Sequence, residues 1–445
     1  MAPISPFRGE RFSQGSIKFE YKGGQMTKMF RHARRFGMVA MAILLSGALL
    51  LGSVVPAKAA EERLVKIGNL AAMTGALSTS FLPGIQGERD YTTWVNDHGG
   101  IDGIKISHLW EDTKAMIPKA IMAFRRFKEA GVVAVFDIDV GCVLALLPSY
   151  ERERIPCIWI NAHVPGTITK PQWNFAAFPG WNGVGLAYSK WIKENWTGAD
   201  LPRVGVIFQD VAAGWDMCDG FKLAADQGYC QLVGYEVVPL FGAIDTSVEW
   251  LRLSSKKPDW ICVEVYGATA VTCIKDAYRL EIQRKGIELA ATPLVLAENY
   301  IYKIIGPKQC EGWYKFEANA SPRDSEADVP GIRNVNEAAK KYRGREPDDS
   351  TMLYVMGWVH GMVMIEAIRL AIEKVGFDDL TGEAVRDVLA SGIIKDFDTG
   401  GLCRAITVSE REPCFLHALK PYQIVKGKMV SIGDYVEVPF LHAAK

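Results

Sequence analysis

The sequence predicts an α/β protein made of two doubly wound, mostly parallel-sheet lobes. Three observations carry that expectation. Short β-branched runs alternate with stretches of helical periodicity, the connections between strands are long enough to be helical crossovers, and the pattern restarts near residue 181. At 445 residues the chain exceeds one average domain and can build a core in each of two.

The N-terminal segment comes first. Lys28, Arg31, Arg34 and Arg35 form a positive stretch ahead of the uncharged run Met38–Val55, and Pro56-Ala57-Lys58-Ala59-Ala60 then offers a small-x-small cleavage pattern. This reads as an export signal over about residues 26–59, cleaved after Ala59 or Ala60, with Met26 and Met29 as candidate starts. The competing reading is one membrane-anchoring helix, since 18 apolar residues just span a bilayer. Arg34-Arg35-Phe36 resembles a twin-arginine signal.

In the exported body, Leu64–Leu70 reads as the first strand and Gly84–Asn96 as a helix ending at Gly99-Gly100. Ile104–Leu109 is a strand, Pro118–Ala130 a helix closed by Gly131, and Val132–Phe136 a strand. Gly141–Glu153 is a helix and Cys157–Ile160 a strand. The second round begins with the helix Trp181–Trp196. Strands follow at Val204–Phe208, Gln231–Val238, Trp260–Val265 and Pro293–Leu296, separated by helices at Cys218–Gln227, Val248–Ser255 and Ala268–Leu280. After a polar stretch, Asn319–Pro330, come helices at Val335–Tyr342, Thr351–Lys374 and Thr381–Ala390. Phe415–Val438 reads as strands around the turn Lys426-Gly427-Lys428.

Net charge is zero over the whole chain, but residues 1–59 hold nine of the 51 Lys/Arg and two of the 51 Asp/Glu. The remainder carries 42 basic against 49 acidic residues, and so gives no electrostatic reason to bind nucleic acid. No Gly-x-Ser-x-Gly elbow, phosphate-binding loop or His-Glu-x-x-His occurs, and the seven histidines lack metal-ligand spacing. Neither an enzyme, a cofactor nor a metal site is expected. All nine cysteines follow the signal, where disulfides are permitted. Cys403 and Cys414 flank a hairpin-like stretch and are the best candidate pair. Cys218 and Cys230 bracket a helix that holds them too far apart to bond.

Several segments resemble leucine/isoleucine/valine-type (branched-chain amino acid) substrate-binding proteins of ABC transporters. They are Ile67-Gly68-Asn69-Leu70 with Met73-Thr74-Gly75, Gly84-x-x-Gly87 leading to Trp94-Val95-Asn96-Asp97-His98-Gly99-Gly100-Ile101-Asp102-Gly103, and Glu111-Asp112-Thr113. The resemblance runs from about Leu64 to about Tyr435. It implies a type I periplasmic-binding fold with a three-segment hinge. Residues 1–59 are then the N-terminal extension and signal, 60–179 and 319–415 the first lobe, and 180–318 and 416–445 the second. It also implies a periplasmic monomer that passes a small solute to an inner-membrane permease.

Open parallel sheets bind ligands beyond the carboxyl ends of their strands. The candidates are therefore Phe81, near the loop after the first strand, Gly141 and Cys142 after the third, Asn161 and His163 after the fourth, and Trp215, Tyr266 and Glu298 in the second lobe. By the resemblance, Tyr266 and Glu298 match a Tyr and a Glu that hold a ligand's α-ammonium. The helix start at Gly141 and Cys142 would take the carboxylate through backbone N–H groups, with His163 as a further donor. The sequence departs from the family here. Val140–Val143 contains no hydroxyl, and Asp137 and Asp139 would repel a carboxylate. An amino acid is the default ligand; an amide, a urea-like compound or an aromatic acid is the alternative. So is a sensing module of the same fold.

Overall fold

In the computed structural model, residues 63–75, 77–160, 172–240, 242–292, 295–296, 300–322, 328–345, 351–439 and 441 are described. A first sheet holds β1 (Leu64–Ala71), β2 (Lys105–Asp112), β3 (Ala134–Asp137), β4 (Cys157–Trp159) and β5 (Asn174–Ala176), all parallel, in the order β2-β1-β3-β4-β5. Its helices are α1 (Ser78–Asp97), α2 (Ile117–Ala130) and α3 (Val140–Glu153). The second sheet holds β6 (Arg203–Gln209), β7 (Gln231–Val238), β8 (Trp260–Glu264), β9 (Glu288–Ala291) and β10 (Tyr314–Glu317). They are parallel in the order β10-β9-β8-β6-β7, with helices α4 (Trp181–Glu194), α5 (Ala212–Asp226), α6 (Ser247–Ser255) and α7 (Gly267–Arg279). Next come α8 (Pro330–Arg343), α9 (Met352–Val375) and α10 (Gly382–Ser391). The closing strands β11 (Ala418–Val425), β12 (Lys428–Ser431) and β13 (Val436–Glu437) add antiparallel pairs to the second sheet.

Both sheets reverse their winding at the same place in their order. β1 lies between β2 and β3, and β6 lies between β7 and β8. Each lobe therefore has a switch point, and connections diverge there at the carboxyl ends of β1/β3 and β6/β8. The chain passes between the sheets three times: after β5, after β10 and before β11. Two of the passages are zipped together, with the Phe415 amide donating to the Ala176 carbonyl over 3.0 Å and Leu416 to Ala177 over 2.9 Å.

Glycines set the close helix contacts in both lobes. A Cβ on Gly357 of α9 would sit 1.9 Å from the Gly84 carbonyl oxygen of α1, and one on Gly220 of α5 would sit 2.1 Å from the Asn182 oxygen of α4. Backbone meets backbone at both crossings. α9 is almost wholly apolar and buried from Met352 to Ile365, the usual signature of a core helix, and turns polar and partly exposed at Glu366, Arg369, Glu373 and Lys374. In the first lobe, Arg343 clamps Asp90 with two donors, at 2.7 and 2.8 Å, and the Tyr354 hydroxyl donates to the same carboxylate at 2.8 Å. This ties α8, α9 and α1 together.

Several expectations are corrected. The ninth strand is Glu288–Ala291 rather than Pro293–Leu296. The parallel ladder ends with the Thr292 amide on the Val263 carbonyl, and the proline that follows has no N–H to continue it. β5 and β10 are additional. β5 has only three residues, too few to show a period, and β10 (YKFE) hides a buried Lys315–Glu317 ion pair of 2.6 Å in a polar-looking run. α1 begins at Ser78 and contains Pro83, and α5 begins at Ala212, so Cys218 lies inside it. Cys403 and Cys414 form no disulfide. Both are buried thiols; Cys403 lies against the Thr399 hydroxyl, and Cys414 sits in a bridge to Ala176 that belongs to the inter-sheet passage.

Candidate ligand-binding site

On the first lobe, the loop after β1 is held by Asp112, at the end of β2. Its carboxylate accepts from the Met73 amide at 3.0 Å, the Thr74 amide at 3.2 Å, the Thr74 hydroxyl at 2.5 Å and the Lys114 amide at 3.1 Å. Partial burial opposes ionisation of Asp112, but the Thr74, Lys114 and Met73 hydrogen bonds outweigh it and keep its pKa below the usual carboxylate value. Gly75 adopts φ 99°, a left-handed conformation that lets the chain turn into α1.

At the end of β3, the Asp139 amide donates to Asp137 at 2.9 Å, and the Asp139 carboxylate caps α3 by accepting from the Cys142 amide at 2.8 Å. Gly141 is exposed at this helix start, as a ligand-facing backbone requires. Cys142 does not face outward. Its thiol is fully buried among Leu70, Val143 and Leu146, its amide is committed to Asp139, and burial with Asp137 and Asp139 nearby pushes its pKa up. In this conformation both its side chain and its N–H are engaged within the protein. Phe81 likewise lies in the apolar core with Ile85, not on an open wall. Asn161, His163 and Glu298 lie outside the described residues.

On the second lobe, Gln209 ends β6 and ties three strand ends. Its Oε1 accepts from the Tyr266 amide at 2.7 Å, and its Nε2 donates to the Leu240 carbonyl at 2.9 Å, in the segment after β7. Tyr266 thus stands at the switch point, nearly buried, immediately after β8. Burial, then the charges of Glu264 and Asp216, push its pKa up, so it is a neutral hydroxyl. Trp215 is in the first turn of α5. Its indole N–H donates to Asp210 at 2.9 Å, and its ring meets Phe208 edge-on at 4.9 Å and Tyr235 at 6.0 Å. Its ring is therefore directed toward the β7 edge of the sheet.

Gln209, Thr292 and Glu264 also stand at the strand ends of the second sheet and are not marked by the sequence pattern as strand-end residues. Glu264 carried a signal: it is the one acid in the run Trp260–Val265, which is buried on both faces, and a carboxyl has no ordinary place there. Among the described residues no group of three or more His, Cys, Asp or Glu side chains is placed to hold a metal.

The sequence matches the family profile described as periplasmic binding protein over residues 64–428. The fold is similar to a branched-chain amino acid ABC transporter protein from Thermus thermophilus with bound valine (TM-score 0.74, 19% identity, 84% of this chain and 97% of that one). It is similar too to a fatty acid ABC transporter substrate-binding protein from Thermomonospora curvata (0.71, 18%, 84% and 92%). A third is a solute-binding protein from Rhodopseudomonas palustris BisB5 in complex with 3,4-dihydroxybenzoic acid (0.70, 17%, 85% and 98%). Among curated proteins, none matches this chain in sequence.

Proposed function

The chain belongs to the periplasmic binding protein family, with the type I fold of substrate-binding components of ABC transporters, and from this we propose that it captures an amino acid between its lobes for an inner-membrane permease. The observation that carries this reading is the switch point of the second sheet. There the Gln209 side chain holds Tyr266 at the carboxyl end of β8, where an open parallel sheet receives ligands. Lobe one, taken as about 60–179 and 319–415, offers the exposed backbone at Gly141. Lobe two, about 180–318 and 416–445, offers Tyr266 and Glu298, with Trp215 at its edge. Asn161 and His163 complete the proposed contact set. Ligand favours closure because only the closed form engages both halves.

Residues 26–59 serve as the export signal in this reading, and the mature chain works as a monomer in the periplasm. Similar folds hold valine in one case and 3,4-dihydroxybenzoic acid in another, so ligand class is decided by side chains rather than by fold. The acidic surroundings of the strand ends, with Asp137 and Asp139 on one lobe and Asp210 and Glu264 on the other, favour a head group that donates hydrogen bonds. A thermal-shift screen tests the reading: leucine or valine raises the melting temperature, and Glu298→Ala removes the effect. A shift by aromatic or fatty acids alone rejects the amino acid.

A further inference from the structure

A hinged protein turns where few contacts cross between its moving parts, so each contact that does cross bears on the angle between them. Three chain passages join the body of the first sheet, with α1–α3 and α8–α10, to the body of the second. Among the described residues one ion pair crosses beside these passages: the Arg404 guanidinium donates to the Glu437 carboxylate. The other ion pairs between described residues stay within one body, as Arg343 with Asp90 does in the first and Lys315 with Glu317 in the second.

Each partner is fixed to its own body. Arg404 lies in the segment between α10 and β11, which is seated on α8. There the Gly331 amide donates to the Gly400 carbonyl at 2.8 Å, and a Cβ on Gly331 would sit 2.6 Å from the Leu402 side chain. Glu437 lies in β13, opposite Ala418 of β11, and the next amide, of Val438, donates to the His417 carbonyl at 2.7 Å. The chain just past β13 presses on α4, where a Cβ on Gly183 would sit 2.3 Å from the Pro439 carbonyl oxygen. Rotation of one body against the other therefore changes the separation of the two side chains. The pair also lines a cavity of about 290 Å³, together with Ala318 of the second passage, Leu416 and His417 of the third, and Ala405. Close-packed interiors resist movement, and this space leaves the passages room to turn.

We propose that Arg404 and Glu437 form a latch across the hinge, which holds the lobe angle of this conformation and so tunes solute affinity without touching solute. The proposal rests on the reading that the lobes move to capture a small solute. The two side chains are 52% and 67% exposed, so water weakens the pair and it adds little to folding stability. A weak pair is enough for this task. The lobe arrangements of a hinged protein differ little in free energy, and a few-fold bias in their populations changes apparent affinity by the same factor. A solute that needs another angle must break the pair, and one that fits this angle is helped by it. Exposure also makes the latch sensitive to salt, which screens the two charges.

The test is the distance between two nitroxide labels on the mature protein without added solute, read by pulsed electron paramagnetic resonance. The labels are carried by Met122→Cys in α2 and Val248→Cys in α6, both exposed positions, while the nine native thiols are buried and stay unlabelled. The expected result is one dominant distance in the parent at about 0.05 M salt, whose share relative to other distances falls about two- to five-fold in Arg404→Gln and in Glu437→Gln. The charge-swapped double variant, Arg404→Glu with Glu437→Arg, should restore that share. Raising salt to about 0.5 M should act on the parent as either single substitution does, and leave both single variants unchanged. Single variants with the parent's distance distribution overturn the latch. So does a swapped variant that is folded by circular dichroism and fails to restore the distribution, since the two residues then act other than as a pair. Either failure leaves solute capture standing, because the thermal-shift screen decides that reading by itself.

Discussion

The Tyr266 amide donates to the Gln209 side-chain oxygen over 2.7 Å, and this one bond joins the carboxyl ends of β6 and β8 at the switch point of the second sheet. The other end of the same amide group reaches Leu240 after β7, so three ligand-side loops share one side chain. Gln209 is fully buried, and removing it leaves the Tyr266 N–H and the Leu240 carbonyl without that partner. Gln209→Leu is expected to cost about 2–4 kcal/mol of unfolding free energy, at about 1–2 for each lost bond. Denaturant titration measures this, and a change within error would mean that the three loops hold their places by other means.

The Glu264 carboxyl also links stability to pH. Its folded pKa, about 8, lies above the ordinary 4.5, so between these values the folded state binds a proton that the unfolded state has released. Stability contributed at this site therefore declines as pH rises through that window, by about 1.4 kcal/mol per unit. Glu88 and Asp137 are shifted in the same direction by burial, so the informative quantity is a difference. Glu264→Gln should be more stable than the parent at pH 7.5, and this gain should shrink toward pH 5. A pH-independent difference between the two would contradict the assignment.

The buried histidines act with the opposite sign. Burial brings His108 and His360 down to about 3, so both are neutral in the fold and protonate on unfolding below about 6.5. Stability from these sites is present above 6.5 and declines as pH falls toward 3. Neither ring nitrogen of His108 has a partner among the described residues, and the ring sits 4.7 Å from Trp110 and 5.7 Å from Phe136. His108→Phe should raise the melting temperature, more at pH 5 than at pH 7.5. A fall at both pH values would show that the imidazole is needed.

The glycine crossings predict graded damage. Alanine at Gly357 or Gly220 places a carbon on a carbonyl oxygen of the facing helix, which must move away. Each substitution should cost about 1–3 kcal/mol, the usual cost of overpacking. Alanine at Gly99, where nothing lies close to a new Cβ, is opposed only by its φ of 106° and should cost less. Equal losses at all three would separate stability from the helix contacts.

All nine cysteines are buried thiols. Burial moves Cys218 up to about 11 and Cys310 and Cys403 up to about 12, so almost no thiolate is present at pH 8. A thiol reagent should label none of the nine in the native protein and all nine after unfolding. A reagent count two short after unfolding would revive the Cys403–Cys414 bridge.

Much of the fold was legible as a string of local patterns. Gln231–Val238 matched its strand to the residue, and the others mostly fell within one or two residues, because a buried parallel strand is a short apolar run between helical periods. Tyr266 was legible as a strand-end residue for the same reason. The burial of Cys142 was not legible, since a helix start shows which residues occupy the first turn but not which of them points into the core. The Pro293–Leu296 strand was misread because an apolar run does not carry its own partner, and β9 is defined by β8 and β10 beside it.

Sequence alone therefore determined the α/β class, the two rounds of winding and the strand end on which Tyr266 stands, since each is written in spacing along the chain. Only the tertiary structure decided that Glu264 and Thr292 meet at the ends of β8 and β9, that Gln209 ties three loops, and that Gly357 touches Gly84. Those are relations between residues far apart in the chain, and whether a buried group is satisfied depends on neighbours that folding alone brings to it.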